Sequence, residues 1–338
     1  MRHFILIIVC FALAQNANAQ DSCSFKSLFI GHAYGSQNNN IPQWNSINQN
    51  IEKLKQQKPD YIFFLGDFLR DSLTTSIEQF TKLSDGFHTS VRHIRGNHDK
   101  KWFDYPTIAT VYDREERCWE KWLFSSVPIP EVGFSSVTIR KERQKSDLRY
   151  IFVPLDTENP KDNLDSIIKS YVKYSQPVII FLSHRLIWAY SNPRYAHLVE
   201  LTNSPKMHQL PQVVDMDFLN QQKDKKFYFF AGDLGVNIPL FYDKVGNVTM
   251  YAVGCGGTPK DAALLAEFKR DTILTSLVHL GTANYNIEDY SLEKINAMPL
   301  PNVTISAQQG FKGYQWPIVL GIFALMALAL YMVVTPNE

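Results

Sequence analysis

Short apolar runs recur along this chain, separated by stretches whose apolar positions repeat every three or four residues. Ser27 to Ile30, Tyr61 to Leu65, Val91 to Ile94, Tyr150 to Val153, Pro177 to Leu182, Phe227 to Phe230 and Thr249 to Val253 are runs of strand length. The fourth is closed by Leu155-Asp156-Thr157, and the last by Gly254-Cys255-Gly256-Gly257. Ile41 to Lys58 carries Trp44, Ile47, Ile51 and Leu54 at helical spacing and stops near Pro59; Ser72 to Leu83 and Leu164 to Tyr174 read as further helices. Strands separated by helices predict a layered α/β domain with buried sheets. Internal repeats and low-complexity tracts are missing from the sequence.

Two stretches break the rhythm. Lys101 to Ser126 contains Trp102, Trp119 and Trp122, and Leu186 to Leu219 holds Trp188, Tyr190, Tyr195, His197 and His208 among prolines. Each closely follows a candidate metal ligand, so each is placed either to wall a site or to pack as a surface excursion. Pro299 and Pro301 stop any helix continuing from Ser291.

Composition adds less than the two ends do. The 338 residues are 45% hydrophobic, enough for one substantial core or two small ones, and the net charge of +1 offers no broad basic field for nucleic acid. Arg2 and His3 precede an apolar run from Phe4 to Ala14, and Ala17-Asn18-Ala19 supplies a small-residue cleavage site. A secretory signal over residues 1–19, cut before Gln20, is the expectation; a retained anchor is the other reading. Ile318 to Val334 is free of charge and spans about 25 Å as a helix, with Trp316 and Tyr331 as interfacial anchors. The body, residues 20–300, is expected outside the cytoplasm, followed by a linker (301–316), a transmembrane helix (317–334) and a short tail (335–338). Replacement of that helix by a lipid anchor near Ser306-Ala307 ranks second. Asn247-Val248-Thr249 and Asn302-Val303-Thr304 fit the glycosylation pattern. Cys23, Cys118 and Cys255 allow one disulfide and one leftover thiol, or three buried thiols, and no C-x-x-C spacing suggests structural zinc.

The chemistry sits at the ends of the predicted strands. Gly66-Asp67 closes one, Arg95-Gly96-Asn97-His98-Asp99 follows the next, and Ser183-His184 ends a third. Carboxylate, amide oxygen and imidazole at strand tips suit Mn, Fe or Zn. Such a cation holds a phosphate and acidifies water, while a nearby imidazole protonates a leaving alcohol. Asp67 reads as the bridging ligand, Asn97 as an amide ligand, His98 as general acid and Asp99 as the group orienting its ring. Arg185, beside His184, offers a fork for a phosphate oxygen or a surface ion pair, and Arg70 carries the same ambiguity.

In these blocks the chain resembles the calcineurin-like metallophosphoesterase superfamily. Its five blocks read Asp-x-His, Gly-Asp, Gly-Asn-His-Asp/Glu, a lone His and Gly-His-x-His, and the resemblance runs from about Phe25 to Gly257. It implies a β-sandwich of two mixed sheets flanked by helices, with metals at the strand tips. Two blocks depart from the pattern. His32 and Tyr34 stand where the first block carries Asp and His, and Asp233 and Gly235 stand where the last carries two His. By the resemblance, Asp67, Asn97, His184 and Asp233 form one complete ligand set. The second set, Asp67 and His32 with Tyr34 as a possible member, is depleted. One firm metal site and one weakened site are expected, with Tyr34 and Arg185 toward the substrate.

The leading expectation is an exported, membrane-anchored phosphoesterase using a metal-activated water on a phosphate ester. A catalytically degenerate binding or scaffold protein on the same fold competes with it. A different metal hydrolase ranks low, because neither a His-Glu-x-x-His helix nor a nucleophile elbow is present.

Overall fold

Tyr61–Leu65 is apolar at every position, which suits a strand covered on both faces. In the computed structural model it is β2, buried throughout, with Ile62 and Phe64 on one face and Phe63 and Leu65 on the other. The structure describes residues 24–300, apart from 37, 39, 72, 100–121, 129–134, 142–149, 159–162, 175–176 and 270–271, and describes backbone alone for 74, 122–128, 135–141 and 151.

Twelve strands are described: β1 (Phe25–Ile30), β2, β3 (Ser90–Ile94), β4 (Trp122–Pro128), β5 (Ser135–Lys141), β6 (Tyr150–Leu155), β7 (Val178–Ser183), β8 (Lys226–Ala231), β9 (Leu240–Val245), β10 (Val248–Val253), β11 (Ala262–Phe268) and β12 (Ile273–His279). They form a five-stranded sheet in the order β12-β11-β1-β2-β3 and a seven-stranded sheet in the order β4-β5-β6-β7-β8-β10-β9. Both sheets are mixed. β1, β2 and β3 run parallel with β11 antiparallel beside β1, while β6, β7, β8 and β10 run parallel with antiparallel partners outside them.

An aromatic layer joins the sheets. Phe29 stacks on Phe230 with ring centroids 4.1 Å apart, and Phe63 on Phe152 at 5.2 Å. The opposite face of the smaller sheet, through Leu28, Ile30, Ile62 and Phe64, packs with Trp44, Ile47 and Leu54 and with Phe80 of the helix Thr74–Asp85. A helix at Leu164–Val172 buries Leu164, Ile168, Tyr171 and Val172, spacings that fall on one helical face, and Asn163 caps it by accepting from the Ser166 N–H at 3.0 Å.

The two mixed sheets and flanking helices agree with the expected architecture. The single helix expected over Ile41 to Lys58 is instead two, Asn45–Gln49 and Ile51–Gln56, broken at Asn50. Asn50's side chain donates to the carbonyls of Ser46 and Leu280, fixing the break. β4, β5, β9, β11 and β12 had no sequence expectation. Of the aromatic stretch after His184, Trp188, Tyr190, Tyr195 and His208 are buried in the structure, so they pack against the sheet rather than face an open site. The stretch from Lys101 lies outside the described residues up to β4.

Among the described residues no helix is long and apolar enough to cross a membrane. The expected signal and the apolar run at 318–334 lie outside the described residues, as do Cys23, Cys118 and Asn302. Cys255 is a buried, unpaired thiol. Asn247 is committed to the fold: its side-chain amide donates to the carbonyls of Leu219, Gln222 and Lys225 at 2.9–3.1 Å, bonds that a glycan on that nitrogen would disrupt.

Candidate active site

Parallel strands in register bring their carboxyl ends to a common edge. Ile30 pairs with Phe64, and Leu65 with Ile94, in the smaller sheet; Leu155, Ser183 and Ala231 form a row across the larger one. His32, Asp67, Asn97 and His98 follow the first set of tips, and Glu158, His184 and Asp233 follow the second. The candidate residues therefore come from six strands, as expected where ligands bind outside the carboxyl ends of a sheet.

Glycines allow the edges to approach. Gly66 has φ of +82°, and a Cβ there would lie 2.5 Å from Nδ1 of His184; a Cβ on Gly96 would lie 2.2 Å from Asp67 Oδ1. His32 and Asp67 adopt left-handed backbone themselves, with φ of 46° and 52°. Such strain persists only where neighbours enforce it. At Asp67 the Asp99 carboxylate does so, accepting from the N–H groups of Asp67 (2.6 Å), Phe68 (3.1 Å), Leu69 (3.0 Å) and Gly96 (2.9 Å).

That hold corrects the expectation for Asp99. Its carboxylate is buried and aimed at backbone, and the His98 ring is oriented by Arg70 instead, through Nδ1 and the Arg70 carbonyl oxygen at 3.0 Å. Burial, then the Asp67 carboxylate, push Asp99 up to about 8, while the Leu69 and Gly96 N–H groups pull against that shift. A group receiving four N–H donors fits its place as a carboxylate.

Asp67 is the hub of the edge. Its Oδ1 accepts the His98 backbone N–H at 3.1 Å, and its Oδ2 lies 3.4 Å from His184 Nε2 and 4.0 Å from His32 Nε2. Both rings are held from behind: His184 Nδ1 meets the Leu65 carbonyl at 3.1 Å, and His32 Nδ1 meets that of Cys255 at 2.7 Å. A carbonyl only accepts, so Nδ1 carries the proton in each ring and Nε2 is turned toward Asp67. Asp233 Oδ1 lies 3.8 Å from the same His184 Nε2. His184 Nε2 and Asp233 Oδ1 are buried without a hydrogen-bond partner.

The electrostatics follow from burial and these pairs. Burial lowers His32 to about 4, with Asp67 opposing. Burial also lowers His184, yet Asp67 beside it prevails and raises it to about 9. Asp67 responds in kind: burial raises it, but His184 and His32 hold it well below the usual carboxylate range. Asp233 is shifted upward by burial, against the pull of His184 and Arg185.

Among the described residues no three His, Cys, Asp or Glu side chains are grouped, as they stand, to hold a metal ion. The donor set nonetheless fits a small cation. Asp67 Oδ2, His184 Nε2 and Asp233 Oδ1 converge in a buried place, and the His184 ring has the backing that a metal-ligating histidine receives.

The remaining candidates sit differently. Arg185 is buried, and its guanidinium donates from Nε to Glu158 Oε1 (2.8 Å), from Nη1 to Asp233 Oδ2 (2.7 Å) and from Nη2 to Asn97 Oδ1 (2.7 Å). Neither a substrate fork nor a surface ion pair describes it. Asn97 is exposed at the same edge, with its amide oxygen facing Arg185 rather than Asp67's open side. Tyr34 is buried against the rings of His32 (4.2 Å) and His98 (5.1 Å), so it walls the site and does not reach substrate. His98 is half-buried.

Sequence reasoning missed Glu158, and it named His208 only within the stretch placed to wall a site or pack. Glu158 carried a signal, an acid just past a strand that pairs in register with the one ending at Ser183. His208 packs in that stretch as a support. Its Nε2 accepts from the Leu186 N–H at 3.2 Å and its Nδ1 donates to Ser204 at 3.1 Å, and burial lowers it to about 3, so it is a neutral prop 4.0 Å from Asp233.

A family model described as calcineurin-like phosphoesterase matches residues 32–231. Comparison with curated protein sequences gave no match. Among solved structures, the chain is similar to a purple acid phosphatase from yellow lupin seeds (Lupinus luteus) at 13% identity and a TM-score of 0.43, over 79% of this chain and 53% of that one. It thus spans about half the length of the lupin protein. A dimetal phosphatase from Danio rerio matches at 11% identity and a TM-score of 0.41, over 74% of this chain and 98% of that one. A 5'-nucleotidase from Candida albicans matches at 12% identity and 0.36, over 81% and 53%.

Proposed function

Because the chain belongs to the calcineurin-like phosphoesterase family, we propose that it hydrolyses a phosphate ester at this edge, with a divalent cation held by Asp67, His184 and Asp233 and flanked by His32. The observation that carries this reading is the convergence of Asp67 Oδ2 with the two partnerless atoms, His184 Nε2 and Asp233 Oδ1. Buried polar atoms without partners are costly, and a set of them facing one another fits a ligand better than it fits a core. When bound, a divalent cation draws charge from a phosphoryl oxygen and lowers the pKa of a water.

The protein's own groups do the rest. His98 is fixed at both ends, by its backbone N–H on Asp67 Oδ1 and its ring Nδ1 on the Arg70 carbonyl. Its Nε2 is the nitrogen left to deliver a proton to the oxygen of the departing alcohol as the P–O bond breaks. Asp99 keeps the Asp67 turn in its strained form, so the ligand does not have to be folded into place on binding. Tyr34 closes the wall behind His32 and His98.

The apolar run at 318–334 and the leader-like N-terminus support an exported domain tethered by one C-terminal span, acting on phosphate esters near a membrane surface. Arg185's hold on Asn97 and Asp233 favours a second reading, a catalytically silent phosphate-binding protein. Assays of the purified chain with p-nitrophenyl phosphate and bis-p-nitrophenyl phosphate, with metal content measured alongside, separate the two. Metal-dependent turnover that Asp67→Asn removes is the expected result. A folded protein inert toward both esters at every added metal leaves only the silent reading.

A further inference from the structure

Asp233 divides its carboxylate between two neighbours. Oδ1 faces His184 Nε2 at 3.8 Å without a hydrogen-bond partner, while Oδ2 accepts from Arg185 Nη1 at 2.7 Å. The same guanidinium binds Asn97 and Glu158, and the Arg185 residue is only 1% exposed. A positive charge is therefore built into the edge on the far side of Asp233. An arginine stays charged in any protein environment, and its planar fork suits this arrangement of oxygens.

Beyond His32, the places where the family pattern puts ligands for a second cation are closed. Gly235, in the position of the last block's second His, has φ of +127°, and a Cβ there would lie 2.5 Å from the backbone of Cys255. Tyr34, in the position of the first block's His, is packed between two imidazoles. Charge agrees with geometry. Glu158 and Oδ2 of Asp233 are already paired with the guanidinium, which leaves Asp67 and the open Oδ1 of Asp233 as the oxygens available to a cation.

We propose that the Arg185 guanidinium serves as a built-in second cation, so that the chain takes one divalent ion, bounded by Asp67, His184 and Asp233. Arg185 acts through Asp233 and Asn97 and is a positioning residue: it holds the first in reach of the ion and withholds the second from it. The inference rests on the cation reading of the preceding subsection.

The test is metal stoichiometry of the full chain, stripped and then dialysed against Mn²⁺, for wild type, Arg185→Gln and Arg185→Lys. Wild type is expected to hold one ion with the six-line spectrum of isolated Mn²⁺, and Arg185→Lys, which keeps the charge, one as well. Arg185→Gln exposes the oxygens of Glu158, Asp233 and Asn97 to a cation and is expected to hold two, with a melting temperature that rises more with added Mn²⁺ than that of wild type. If Arg185→Gln is unfolded without metal, recovery of its fold on adding Mn²⁺ supports the proposal, and failure to recover at any concentration counts against it. Two ions in wild type, or a folded Arg185→Gln that still holds one, overturns the guanidinium's role and leaves the cation reading intact. No ion in wild type overturns the cation reading itself.

Discussion

The two sides of Asp233 are built from the same kinds of residue and finished in opposite ways. On the Arg185 side, Glu158, Asn97 and Asp233 Oδ2 all accept from one guanidinium within 2.7–2.8 Å. On the Asp67 side the approaches of Asp67 Oδ2 and Asp233 Oδ1 to the His32 and His184 rings are 3.4–4.0 Å, two atoms have no partner, and two residues sit in left-handed backbone. A satisfied buried network rigidifies a structure, whereas an unsatisfied one costs stability unless something binds there. The contrast teaches that the first side is scaffold and the second is where binding energy is to be gained.

Asp67→Asn tests that division most severely. Asparagine tolerates the left-handed turn and keeps the oxygen that the His98 N–H requires, so the fold is expected to survive. The charge between His32 and His184 is lost, and both Mn²⁺ binding and turnover are expected to fall to background. A variant that still binds the ion and turns over would dissolve the contrast. His98→Ala comes next. It removes a proton donor and no proposed ligand, so a loss of about 10²–10⁴-fold in turnover is expected with metal content unchanged. The loss should shrink for esters with acidic leaving groups, which need no proton.

Asp99→Asn asks whether the strained side is held from below. Replacing one carboxylate oxygen by an NH₂ leaves two of the four backbone N–H groups facing a donor, at a cost of about 3 kcal/mol. Thermal melting is expected about 5–10 °C lower. If the variant melts with wild type, the turn at Asp67 stands without its prop.

What was legible in the sequence follows the same line. Gly66-Asp67, Gly96-Asn97-His98 and Ser183-His184 could be read because a glycine or polar residue after an apolar strand is a local requirement of a strand tip. The partners of long or buried side chains depend on which tips become neighbours. That is why Arg185 read as a fork for substrate and Asp99 as a ring orienter, and why Glu158 was passed over. Within the fold, β11 reads Ala-Ala-Leu-Leu-Ala-Glu-Phe, a composition that favours helix in isolation, and becomes a strand by pairing with β1 and β12.

The smallest effect expected is also the most discriminating about what a partnerless atom means. The Tyr190 hydroxyl is buried without a hydrogen-bond partner, like His184 Nε2, and burial pushes its pKa above the usual tyrosine range. It differs in its surroundings: Tyr190 packs edge-on to the His208 ring at 5.7 Å, among the props of the scaffold side. If it is a leftover of packing, Tyr190→Phe removes an unsatisfied group and stabilises the protein by about 1 kcal/mol. Melting is then expected to rise by roughly 2–4 °C, with turnover and metal content unchanged. If instead turnover drops or the ion binds more weakly, the hydroxyl belongs to the binding side, and the boundary between the two sides runs through the aromatic stretch and not through Asp233.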